Sequence, residues 1–126
     1  MNCGIYDSKN QHTILFYIQI AENIDGENIK LKAVDINLSF MSNDGIHIKR
    51  LICENKYVEI DKEKNKIHID ELYQGTSIYV VIEINEIKQY NNIIAFDDTR
   101  LMIDVNYFDV EENMNINKMI DSTITS

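Results

Sequence analysis

The sequence predicts an all-β chain folded as an antiparallel β-sandwich of about seven short strands. Three observations lead there. The 126 residues include 23 isoleucines and 15 asparagines. Isoleucine is β-branched and suits a pleated, half-buried surface, whereas asparagine tolerates positive φ and serves turns. Apolar and polar residues alternate with period two in several segments, and no segment has strong helical periodicity. Turn signals at Asp25-Gly26, Asn43-Asp44-Gly45 and Leu72-Tyr73-Gln74-Gly75 separate those segments. Such a pattern fits a sandwich or a barrel, and the sandwich is the expected form.

Taken in order, the first strand is expected from Thr13 to Ala21, with Ile14, Phe16, Ile18 and Ile20 on one face and Leu15, Tyr17 and Gln19 on the other. A helix over Leu15 to Ile24 is the alternative, and the β-branched density favours the strand. The second runs from about Asn28 to Phe40. Its apolar set Ile29, Leu31, Ala33 continues as Val34, Ile36, Leu38, Phe40, one residue out of phase. A one-residue slip turns every later side chain to the opposite face. The slip therefore implies a bulge, or a bend from one sheet to another, at Ala33-Val34. Ile46, Ile48 and Leu51-Ile52 form a strand whose phase also drifts. Tyr57, Val58 and Ile60 start a short strand, and Asp61 to Lys66 is a polar loop. Ile67 and Ile69 flank His68 on the returning strand. Ile78, Val80, Ile82 and Ile84 then alternate cleanly with Tyr79, Val81, Glu83 and Asn85. The last good strand sets Leu101, Ile103, Val105 and Tyr107 inward. This divides the chain into an N-terminal arm at 1–12, a sandwich domain at 13–110 and a polar tail at 111–126, the tail being a short helix or frayed.

Charge and composition narrow the function classes. Hydrophobic residues make up 44% and charged residues 26%, which is ordinary globular usage. The net charge of −9 lacks the cation excess that displaces counterions from phosphates, so no nucleic-acid partner is expected. The longest unbroken apolar runs, Ile14 to Ile18 and Ile78 to Ile82, fall far short of the roughly 20 residues that span a bilayer. No membrane partner is expected. With no signal stretch before Cys3-Gly4, a cytoplasmic location is the expectation, or the cell surface if the chain is cut from a longer exported protein. Cys3 and Cys53 are fifty residues apart and form no metal or redox motif, so two free thiols are expected.

No catalytic constellation emerges. His47 and His68 each lie between two isoleucines and point away from the core. Paired on neighbouring strands they would suit zinc, but two solvent-facing strand positions are the simpler reading. His12 stands apart. Asp97, Asp98, Asp104, Asp109, Glu111 and Glu112 are hard oxygen ligands of the kind calcium takes, yet the ordered loop of an EF-hand is missing and a solvated acidic edge is the default. No serine sits in a nucleophile elbow and no glycine-rich phosphate loop exists. Tyrosines such as Tyr73, Tyr79, Tyr90 and Tyr107 could stack on a sugar, but packing accounts for them more simply. A non-enzymatic chain without cofactor or metal is expected. Ile93-Ile94-Ala95-Phe96, an apolar knot between polar flanks, is the one concrete candidate interface, at Ile93, Ile94 and Phe96.

Two stretches carry a resemblance. Ile67-His68-Ile69-Asp70-Glu71-Leu72-Tyr73-Gln74-Gly75-Thr76-Ser77 leads into Ile78-Tyr79-Val80-Val81-Ile82-Glu83-Ile84, and Leu101-Met102-Ile103-Asp104-Val105-Asn106-Tyr107-Phe108-Asp109 follows. Together with Val34 to Ile46 they resemble the β-sandwich that accompanies von Willebrand factor type A domains in bacterial proteins. The resemblance covers roughly residues 28 to 110 and implies an immunoglobulin-like fold. It also implies a non-catalytic structural or protein-interaction role beside a type A domain or another partner. The type A domain and its metal loop are absent. The alternative is a carbohydrate- or calcium-binding module of a bacterial surface protein.

Overall fold

The computed structural model describes residues 1–7, 13–20, 29–41, 45–85 and 100–123. It is all-β, with two antiparallel sheets packed face to face. Among the described residues there are nine strands, where about seven were expected: β1 (Asn2–Asp7), β2 (Thr13–Gln19), β3 (Ile29–Met41), β4 (Ile48–Ile52), β5 (Val58–Asp61), β6 (Lys66–Tyr73), β7 (Ser77–Ile84), β8 (Arg100–Asp109) and β9 (Met114–Thr123). Sheet A has the order β1-β2-β7-β4, and sheet B the order β5-β6-β3-β8-β9.

The core forms where the two inner faces meet. In sheet A, Ile14, Phe16 and Ile18 lie directly opposite Ile82, Val80 and Ile78. In sheet B, Ile36 lies between Ile67 and Val105, and Leu38 lies opposite Ile103. All of these are buried, as are Leu31, Val34, Leu101 and Tyr107. The period-two phases read from the sequence for β2, β7 and β8 therefore hold.

Both phase slips are bulges. At Ala33 the pairing of β3 with β8 shifts register between Lys32 and Asp35, and Ala33 has φ of 50°. An extra residue in left-handed backbone turns the strand over, so Leu31 and Val34 both reach the core. Of the two readings open from sequence, the bulge is found, because β3 stays in sheet B throughout. β4 slips against β7 between Ile48 and Arg50, which accounts for the drift from Ile46 to Leu51.

Both hairpins in sheet B use one turn design. In β5–β6, the Asp61 side chain accepts the Glu63 and Lys64 amides, and Asn65 has φ of 52°. In β8–β9, the Asp109 side chain accepts the Glu111 and Glu112 amides, and Asn113 has φ of 53°. The aspartate caps the turn, and the asparagine four residues later takes the left-handed conformation that returns the chain. At the β6–β7 turn, Gly75 takes φ of 74° and its amide donates to the Ile20 carbonyl, which ties the turn to the end of β2.

The expected termini are corrected. As far as Thr123, the segment from Glu111 is neither a short helix nor frayed: Met114–Thr123 pairs with β8 along its whole length. The reason is the second Asp–Asn turn, which returns the chain antiparallel and sets Ile116 and Ile120 against the core. Residues 2–7, expected in an arm, form β1 against β2, with Cys3 buried.

Candidate functional site

The two outer faces differ in chemistry. On sheet B, registered pairing aligns Glu59, His68, Asp35, Asn106 and Asn117 in one row across five strands. The next row holds Asp61, Lys66, Asn37, Asp104 and Met119. His68 is clamped at its centre, with Nδ1 2.7 Å from Asp35 Oδ1 and Nε2 2.7 Å from Asp70 Oδ1. Lys66 Nζ lies 3.5 Å from the same Asp35 oxygen. Hydrogen bonds to Asp35 and then Asp70 hold the imidazole above its ordinary pKa. When both ring nitrogens donate to carboxylates, no lone pair is left for a metal or a substrate proton. Farther along the face, Asn117 Nδ2 donates to Asp104 Oδ1 at 2.9 Å and Asn106 Oδ1 at 2.7 Å. A groove of about 420 Å³ runs along β5, lined by Asp35, Glu59, Ile60, Asp61, Lys66 and His68.

The outer face of sheet A is apolar at its centre. Leu15, Val81 and Ile52 form a registered row across β2, β7 and β4, and Tyr17 pairs with Tyr79 in the next. Ile52 is 37% and Tyr79 49% exposed. Tyr17 extends over Gly4 of β1, where an added Cβ would meet the phenol at 3.5 Å. A shallow groove of about 310 Å³ is lined by Tyr17, Ile18, Gln19, Ser77 and Tyr79. The charges described on β4 and β7 gather at one side: Arg50 Nε donates to Glu83 at 2.7 Å, with Lys49 at 3.7 Å. Arg50 and then Lys49 hold Glu83 below the usual carboxylate pKa.

Each sheet edge carries a feature that discourages strand addition. β1 is bulged between Ile5 and Asp7. β4 is bulged beside Lys49 and Arg50, and β5 has only four residues. β9 sets Lys118 on its inward register, opposite Val105, with its ammonium 5.8 Å from the centre of the Tyr107 ring. With these edges guarded, the faces are the broader surfaces that the described residues offer a partner.

The residues singled out from sequence fall as follows. Ile93, Ile94 and Phe96 lie outside the described residues, as do His12, Tyr90, Asp97 and Asp98. His47 and His68 are not brought together. His47 lies just before β4, where its amide donates to Asn85 Oδ1, and His68 lies on sheet B. Three described members of the acidic group have structural partners: Asp104 binds Asn117, Asp109 caps a turn and Glu111 pairs with Lys30. Among the described residues, no three His, Cys, Asp or Glu side chains are grouped to hold a metal ion. Among the described residues, Tyr73, Tyr79 and Tyr107 do not converge: Tyr107 is buried, Tyr79 faces out from sheet A and Tyr73 ends β6 in sheet B. Sequence reading missed the apolar face of sheet A, although the signal was there. The two longest apolar runs, Ile14 to Ile18 and Ile78 to Ile82, are registered neighbours, and continuous apolar runs mark strands meant for cover on both faces.

Comparisons with protein-family profiles, with curated proteins and with solved structures found no match.

Proposed function

We propose that this chain is a non-catalytic, immunoglobulin-like interaction module that packs against a partner protein or an adjacent domain through the outer face of sheet A. The observation that carries the reading is the registered row Leu15–Val81–Ile52 beside Tyr17–Tyr79. On a chain of net charge −9, this face has few charges to desolvate, so a protein surface is covered there at the least electrostatic cost.

Strand order supports the immunoglobulin-like part. The order β1-β2-β7-β4 matches the A, B, E and D strands of an immunoglobulin domain, and β3-β8-β9 matches C, F and G. The β6–β5 pair lies beside β3, where variable domains place C′ and C″. It departs from that pattern by following β4 in the chain and by reaching the outer strand first. A type A domain as the partner rests on the resemblance of residues 67–84 and 101–109 alone.

The experiment compares two outward substitutions in cells that make the protein. Ile52→Asp should leave the fold intact and reduce the chain to its free size in native extracts. Glu59→Arg, on the opposite sheet, should leave the native complex unchanged. Equal complexes in both variants would rule out sheet A as the contact face. A second reading, a carbohydrate ligand, has the polar groove along β5 as its support. There Asp35, Glu59 and Asp61 could accept, and Lys66 donate, hydrogen bonds to sugar hydroxyls. It predicts the reverse pattern, with loss of glycan binding in Glu59→Arg.

A further inference from the structure

We infer that Asp35, His68 and Asp70 form a proton-operated latch on the outer face of sheet B. With the ring doubly protonated, one imidazolium joins a carboxylate on β3 to a carboxylate two residues along β6, with both contacts at 2.7 Å. Neutral imidazole has a single N–H and can donate to only one of them. Asp35 stands directly opposite His68 in register and is half-buried, whereas the Asp70 side chain is 82% exposed. Loss of the proton therefore keeps the Asp35 contact and releases Asp70. Asp70 lies on β6 between Ile69, paired with Val34, and Glu71, paired with Lys32, so it flanks the Ala33 bulge. The freed end of the latch is thus at the irregular point of the sheet. The groove along β5, of which His68 and Asp35 are walls, becomes one unit more negative in the same step.

The charges around the ring fix the direction. Asp35 faces it from β3, Glu59 and Asp61 from β5, and Lys66 and Asp70 from β6. Four carboxylates outnumber one ammonium, and the hydrogen bonds to Asp35 and Asp70 favour the protonated ring. A group whose folded pKa is raised adds stability that is fully present below its unfolded pKa of about 6.5 and is lost as pH rises through the folded value.

The test reads the latch in two ways. Imidazole proton resonances should show His68 titrating above the ordinary histidine range, and Asp70→Asn should move that titration downward while the protein stays folded. The melting temperature of the native chain should exceed that of His68→Gln most at pH 5.5, and the gap should shrink steadily toward pH 8.5. A His68 that titrates at or below the ordinary value would overturn the latch. So would an Asp70→Asn variant with an unmoved titration, or a melting gap constant with pH. If His68→Gln fails to fold, the Asp70→Asn titration decides alone.

Discussion

Ile82 lies at the centre of sheet A, and its replacement by alanine tests the packing most sharply. The side chain is 0% exposed and stands between Ile14 of β2 and Leu51 of β4, facing sheet B. Truncation removes three buried carbons, worth about 2.4 kcal/mol at ~0.8 kcal/mol each. The cavity left between two sheets cannot close without moving both, which adds about another 1 kcal/mol and falls within the 2–5 kcal/mol seen for such truncations. The expected loss is therefore roughly 3–4 kcal/mol, read by urea unfolding with an unchanged m-value. Val81→Ala, one residue along on the outer face, should cost well under half as much. A loss below about 0.5 kcal/mol for Ile82→Ala, the range of surface substitutions, would refute the assigned phase of β7 and the register of sheet A with it.

The remaining predictions follow from particular backbone and edge features. Ala33→Gly should be neutral or stabilising by up to about 1 kcal/mol, because glycine relieves the left-handed backbone while adding unfolded-state entropy. Ala33→Val should cost more than about 1 kcal/mol on the same unfolding assay, since a β-branched residue fits that conformation poorly. Lys118→Val would remove the inward charge from β9 and should increase concentration-dependent self-association in sedimentation velocity relative to the unsubstituted chain. Cys3 is buried and its thiol is pushed up to about 11, so it should resist alkylation at pH 8 until the chain unfolds, whereas the half-buried Cys53 should label first in peptide mass spectra.

The core was legible because it depends on period two, and β2, β7 and β8 keep strict phase over their whole lengths. The two slips in β3 and β4 were legible for the same reason, since a bulge changes which residues face inward and leaves that change in the sequence. β9 was not read as a strand because Lys118 interrupts the inward stripe of Ile116 and Ile120, and Met119 sets an apolar side chain on the polar face. An edge strand covered on one side needs little apolar surface, so periodicity is faint there. Its signal lay in the turn: Asp109-Val110-Glu111-Glu112-Asn113 repeats the spacing of Asp61-Lys62-Glu63-Lys64-Asn65. The clamp around His68 was half legible. Isoleucines on both sides placed the ring outward, but cross-strand register alone brings Asp35 to it, and register depends on bulges whose exact pairing a sequence does not state.

In the function proposed above, another protein covers the outer face of sheet A, whereas sheet B faces solvent. Site-specific photo-crosslinking in the cells that make the protein measures this most directly, with a photoreactive residue at Ile52 in one strain and at Glu59 in another. One discrete crosslinked protein is expected from Ile52, identified by mass spectrometry, with only background from Glu59. Background from Ile52 with a discrete product from Glu59 would contradict it and move the interaction to the polar face.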